Sequence, residues 1–131
     1  MKVKIDVDEC ISKYFILAVD DEPRIEEIMG IQLQKGGYEY VSFHDPREAM
    51  EFVVGNHDLL DLAILDIKMP VMTGIEMANE IFKIESALPV ILITGGSEDI
   101  EVRHTNNVKT LLHKPITKTE LLDAVRESLY L

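Results

Sequence analysis

Phe15-Ile16-Leu17-Ala18-Val19-Asp20-Asp21-Glu22-Pro23 is the stretch that decides the fold. An apolar run this short suits a strand buried on both faces rather than a helix with one wet side. Its abrupt change to three acids puts carboxylates at the strand's carboxyl end, where open α/β sheets hold their ligands. Pro23 fits the first turn of a following helix, where its missing N–H costs nothing. The same pattern, an apolar run closing on an acid, recurs at Leu62-Ala63-Ile64-Leu65-Asp66. Adjacent Asp side chains repel each other, so a positive group is expected among them.

Working outward, strand and helix signals alternate. The first strand is expected from Tyr14 to Val19. Ile25, Ile28, Met29, Gln32 and Leu33 then recur at helical spacing, and Gly36-Gly37 supplies a stop. Tyr38 to Phe43 alternates as a second strand. Asp45-Pro46 reads as a cap and first residue of a helix carrying Ala49, Met50 and Val53, which Gly55-Asn56 ends. Leu60 to Leu65 is the third strand, closing on Asp66. Met69 to Gly74 reads as a loop, before a helix with Ile75, Met77, Ala78, Ile81 and Phe82. Leu88 to Thr94 is the fourth strand, with Pro89 tolerable at its start. Ser97 to Asn107 is a polar, weakly helical segment, and Val108 to His113 a fifth strand broken by Lys114-Pro115. Thr117 and Glu120 form a capping box for a last helix whose buried face is Leu121, Leu122, Val125 and Leu129. Such alternation predicts an α/β domain, a doubly wound five-stranded parallel sheet with helices on both faces. In strand order 2-1-3-4-5 the crevice lies between the first and third strands, and Asp20, Asp21 and Asp66 meet there. Residues 1–13 are expected to be an N-terminal extension, a short extra strand or a loose arm, on a domain spanning residues 14–131.

The totals narrow the function. At 131 residues the chain suits one domain with a full core. A net charge of −11 disfavours nucleic acid or an anionic membrane surface as direct partner, because both need a basic footprint. The single Cys10 excludes an internal disulfide and suits a reducing compartment, and no run is long and apolar enough to span a bilayer. A cytoplasmic protein is expected, without a linker or second domain in the sequence at hand. His44, His57, His104 and His113 lack metal-ligand spacing, so they read as solvated or core side chains.

Carboxylates converging without Cys or clustered His favour a hard cation, Mg²⁺ in particular, which leaves oxygen positions open for phosphate. Thr94 and Lys114, at the ends of the fourth and fifth strands, offer a hydroxyl and an ammonium to anionic oxygens. Asp66 at the centre suits a nucleophile that forms an acyl phosphate. Singly, Asp20 or Asp21 would be no more than a helix cap, Thr94 a strand-end hydroxyl and Lys114 a solvated charge; it is their common sheet edge that argues for chemistry.

These residues, Asp20-Asp21, Asp66-Ile67-Lys68-Met69-Pro70 with Gly74, Thr94 and Lys114-Pro115, resemble in order and spacing the receiver domain of two-component response regulators, with its flavodoxin-like fold. The resemblance covers about residues 14 to 131. It implies that Asp66 is phosphorylated and that Asp20, Asp21, Asp66 and the backbone carbonyl of Lys68 bind Mg²⁺. It also implies that Thr94 is the switch hydroxyl, that Lys114 contacts the phosphoryl group, and that Pro115 follows a cis peptide bond. The partners implied are a sensor histidine kinase or histidine phosphotransfer protein upstream, and downstream a protein target or an effector domain of a longer chain. The domain would be no enzyme beyond catalysing its own phosphorylation and dephosphorylation.

Four features depart from the family's pattern. Leu111 stands where Tyr or Phe is usual three residues before the lysine, so an aliphatic side chain would replace the aromatic that turns inward with the threonine. Gly95 follows Thr94 where a small residue, often Ala, is usual, leaving the phosphate accessible. Asn106-Asn107 replaces a Gly-Ala pair, and the segment from Ser97 is polar. Together they predict an altered face beside the last strand. They also motivate an alternative, a receiver-like protein-binding module whose contacts ignore phosphorylation. A third option, an Asp-nucleophile phosphatase, would need a second Asp where Lys68 stands.

Overall fold

The structure, a computed structural model, describes residues 6–7, 10–11, 14–96 and 106–130. Two short strands, β1 (Asp6–Val7) and β2 (Cys10–Ile11), pair antiparallel in a sheet of their own. The main sheet follows: β3 (Phe15–Val19), β4 (Glu39–Phe43), β5 (Leu62–Asp66), β6 (Val90–Thr94) and β7 (Val108–His113), parallel throughout and ordered β4-β3-β5-β6-β7. Counted within that sheet, this is the expected order 2-1-3-4-5. The helices are α1 (Pro23–Lys35), α2 (Pro46–Asn56), α3 (Gly74–Ile84) and α4 (Lys118–Tyr130). The side chain of Cys10 and residues 97–105, most of the polar segment expected to be helical, lie outside the described residues.

The sheet is buried on both faces, as its uninterrupted apolar strands require. Leu17, Val19, Ala63, Leu65, Val90 and Leu92 pack with α2 and α3 through Ala49, Val53, Met77, Ala78 and Ile81. The alternate residues, Ile16, Ala18, Leu62, Ile64, Ile91 and Ile93, pack with α1 and α4 through Met29, Leu33, Leu121 and Val125. The period-two side-chain alternation of each strand thus feeds two cores. Buried Asp61 locks the entry of two strands by accepting the Phe15 N–H at 2.9 Å.

Several boundaries differ from the sequence expectation. Gly74 is the first residue of α3 and not the end of a loop, because Thr73 and Glu76 make a reciprocal capping box ahead of it. Gly55-Asn56 lies inside α2, which runs into a 3-10 turn at His57–Leu59. The strands expected from Tyr14, Tyr38, Leu60 and Leu88 begin one to two residues later, at Phe15, Glu39, Leu62 and Val90. On α1 the buried side is Met29, Gly30 and Leu33, while Ile28 is 45 % exposed. The Asp45 cap and the Thr117–Glu120 capping box form as expected.

Candidate functional site

The carboxyl edge of the sheet gathers Asp20, Asp21, Asp66, Thr94 and Lys114. Asp20 follows β3 and is fixed from both sides: its N–H donates to the Phe43 carbonyl at 3.2 Å, and its Oδ1 accepts the Glu22 N–H at 3.0 Å. Asp66 closes β5. Behind it the chain turns back on itself, with the Ile67 N–H on the Ile93 carbonyl at 2.8 Å and the Gly74 N–H on the Ile67 carbonyl at 2.9 Å. A Cβ on Gly74 would run into the Asp66 carbonyl, so glycine is what lets α3 start this close to the strand end. Within that return Val71 sits at φ +73°, a left-handed conformation that a β-branched residue adopts only under constraint, and its side chain is exposed. Lys114 reaches the edge from β7, its N–H bonded to the Thr94 carbonyl at 2.8 Å, and the Lys114-Pro115 peptide is cis.

Asp20, Asp21 and Asp66 each present an oxygen within 4.8 Å of the others. Asp20 and Asp66 are buried, whereas Asp21 is half-buried. Lys114 Nζ lies 3.3 Å from Asp20 Oδ2 and 3.5 Å from Asp66 Oδ1, and exposed Glu22 contributes Oε1 at 3.3 Å. One ammonium therefore faces three acids, with Asp21 beside them, and the cluster keeps excess negative charge. The electrostatics follow. Burial, then the neighbouring Asp20 charge, push the Asp66 carboxyl up to about 7, against the pull of Lys114. Burial also raises Asp20, although the Glu22 N–H and Lys114 counteract it. Burial alone would lower the Lys114 pKa, but the Asp20 and Asp66 charges outweigh it and hold the ammonium above its ordinary value.

Asp20 Oδ2 is buried with no donor aligned on it, despite its closeness to Lys114. A buried carboxylate oxygen without an aligned donor, in an oxygen-only donor set with surplus negative charge, fits a divalent hard cation. Of the other expected residues, Thr94 is buried, and its hydroxyl accepts the Gly96 N–H at 2.9 Å. Gly95 leaves open space, since an added Cβ would come no closer than 3.9 Å to the Lys114 side chain. Exposed Lys68 lies within the return that follows β5. Leu111 is not at the acidic edge: it pairs in register with Leu92 on β6 and packs against the α2–α3 core.

Glu22 is the site residue that the sequence reading passed over. It is the third acid of the opening stretch, but its contact with Lys114 spans 92 positions of chain, which no local pattern marks.

Comparison with known proteins points to one family. The family model described as "Response regulator receiver domain" matches residues 16–126. Transcriptional regulatory protein GlrR of Escherichia coli (strain K12) is 31 % identical over 116 residues, which cover 87 % of this chain and 26 % of GlrR. The chain spans 26–36 % of the length of the first curated relatives it matches. Among solved structures, a receiver domain protein from Clostridium thermocellum superposes with a TM-score of 0.84 at 27 % identity, covering 88 % of this chain and 94 % of that one. Response regulator TrrA of Thermotoga maritima, solved in complex with Mg²⁺ and BeF, does so at 0.78 with 36 % identity, covering 88 % and 99 %. The chain belongs to the response regulator receiver domains, the phosphorelay signalling domains of two-component systems.

Proposed function

We propose that the domain, residues 14–131, accepts a phosphoryl group on Asp66 from a histidine kinase or a histidine phosphotransfer protein, with residues 1–13 as an N-terminal extension. The observation that carries this is the cluster itself: Asp20, Asp21 and Asp66 present oxygens within 4.8 Å of one another, Lys114 lies against two of them, Asp20 and Asp66, and the buried Asp20 Oδ2 has no aligned hydrogen-bond donor. Asp20, Asp21, Asp66 and the Lys68 carbonyl would hold Mg²⁺, which supplies charge neutralisation between an anionic nucleophile and an anionic donor. Asp66 attacks phosphorus as the donor's P–N bond breaks, and the departing imidazole keeps the electron pair. Lys114 then neutralises the new oxygens, and the Thr94 hydroxyl exchanges the Gly96 N–H for the phosphoryl group. Leu111, packed one strand away from the Thr94 strand, would carry the change onward by a shift in packing. The domain catalyses only its own phosphorylation and dephosphorylation.

A groove of about 410 Å³ opens beside Lys114, lined by Ile25, Ile28, Met29, Pro115, Ile116 and Leu121. Its apolar walls suit the docking of a donor protein next to the acceptor carboxylate. No helix among the described residues is long and apolar enough to cross a membrane. We place the domain in the cytoplasm on its single cysteine and its implied kinase partner, with its output going to a protein target or to an effector domain of a longer chain.

Incubation with Mg²⁺ and a small phosphodonor should label the wild-type chain and leave Asp66→Asn unlabelled. Equal labelling of the two would remove the assignment. Partner affinity that does not change when beryllofluoride is added would favour a phosphorylation-independent binding module instead.

A further inference from the structure

We infer that Glu22 is a positioning residue that holds Lys114 at the solvent mouth of the site, and so slows phosphorylation of Asp66 most for small, doubly charged donors. The inference rests on Asp66 being the acceptor. Three carboxylates lie 3.3–3.5 Å from Lys114 Nζ: Asp20, Glu22 and Asp66. Among them the hydrogen bond with aligned geometry goes to Glu22 Oε1, while Asp20 Oδ2 at the same 3.3 Å has no aligned donor. The Glu22 side chain is 63 % exposed, and those of Asp20 and Asp66 are 0 % and 4 % exposed, so Glu22 pulls the ammonium outward against two inward attractions.

The backbone of Glu22 is held in this position. Its backbone N–H is tied to Asp20 Oδ1 at 3.0 Å, and its carbonyl accepts the Ile25 and Glu26 N–H groups that open α1. A donor approaching Asp66 therefore meets a carboxylate carried on a fixed backbone beside Lys114, and the transferred group must draw the ammonium away from it. In the step, the Asp66 oxygen forms a bond to phosphorus as the donor's P–O or P–N bond breaks, with the electron pair leaving on the donor's acetate or amine. Removing Glu22's charge frees the lysine and removes a repulsion, both through solvent and both screened by salt.

The test compares wild type with Glu22→Gln, using acetyl phosphate (a dianion) and phosphoramidate (a monoanion) with Mg²⁺ at low and high salt. Glu22→Gln should label about 3- to 10-fold faster with acetyl phosphate at low salt, as expected for losing one exposed charge contact. The gain should be smaller with phosphoramidate and should shrink toward unity near 0.5 M salt. Its melting temperature should be no lower than that of wild type, so a folding defect does not mimic the effect. A labelled wild type with an unchanged Glu22→Gln rate, or an acceleration indifferent to salt and donor charge, overturns the inference alone. Failure of the wild type to label removes the Asp66 assignment and the inference with it.

Discussion

The acidic edge and the β6–β7 seam lie on the same sheet and differ in what fills them: charge at the edge, apolar packing and amide hydrogen bonds at the seam. At the edge, buried carboxylates crowd one lysine, an oxygen of Asp20 has the lysine's charge beside it but no aligned hydrogen-bond donor, and Val71 holds a strained backbone. At the seam no charges crowd together: Asn107 donates through Nδ2 to the Ala78 carbonyl at 2.9 Å and its backbone carbonyl accepts the Val90 N–H at 2.9 Å, although its Oδ1 is buried without a partner. Leu111 there adds apolar contact with the α2–α3 core. The first region gives up stability to hold a charge constellation ready for a cation and a phosphoryl group. The second ties strand to helix by packing and hydrogen bonds. Substitutions that remove charge or strain at the edge should therefore stabilise the resting domain, whereas truncations at the seam should weaken it.

The largest effect tests whether the edge tolerates added volume as well as it should tolerate lost charge. Gly74→Ala pushes a methyl into the Asp66 carbonyl and should cost about 2–3 kcal/mol, seen as a lower urea midpoint. Next is Asp66→Asn without metal. The folded-state pKa of Asp66 is raised to about 7 from an ordinary 3.8, so the folded state binds the extra proton and the wild type loses stability as pH rises between those values. Lys114, raised from 10.5, contributes no slope in that window, and raised Asp20 contributes in the same direction as Asp66. Asp66→Asn should then be more stable than wild type by on the order of 1–3 kcal/mol at pH 8, and by less at pH 5. Mg²⁺ should raise the wild-type melting temperature at pH 8 and leave that of Asp20→Asn nearly unchanged. A wild type that gains stability from pH 5 to 8 without metal would break the comparison.

At the seam, Leu111→Ala should cost about 1–2 kcal/mol, less than a fully buried leucine, because Leu111 is only partly buried. The smallest effect returns to the edge. Val71→Asn should stabilise by about 0.5–1 kcal/mol, since Asn tolerates positive φ and Val71 is 74 % exposed with little packing to lose. If it destabilises instead, the return after Asp66 depends on the valine side chain and not merely on its backbone shape.

Much of the site was legible because it sits where element types change. Apolar runs that stop on Asp20, Asp66, Thr94 and Lys114 name the strand ends, and parallel topology then has little freedom over where they meet. The start of α3 was misplaced although its signal, Thr73 followed by Glu76, stands in the sequence; a Gly-Pro-rich loop reading outweighed a capping box. The exposed side of α1 was illegible for a different reason. Helical spacing shows that Ile25, Ile28 and Met29 are near one another, but not which of them faces Leu33 and the sheet.

By itself, then, the sequence determined the two-faced parallel sheet, its strand order and the acids at its edge, because side-chain periodicity and helix-capping chemistry are local. Only the tertiary structure decided how one ammonium is shared among Asp20, Glu22 and Asp66, why Gly74 must be glycine, and which side of the sheet Leu111 serves. Those depend on distances of a few ångströms between segments far apart in the chain, and electrostatic and steric energies change steeply over that range.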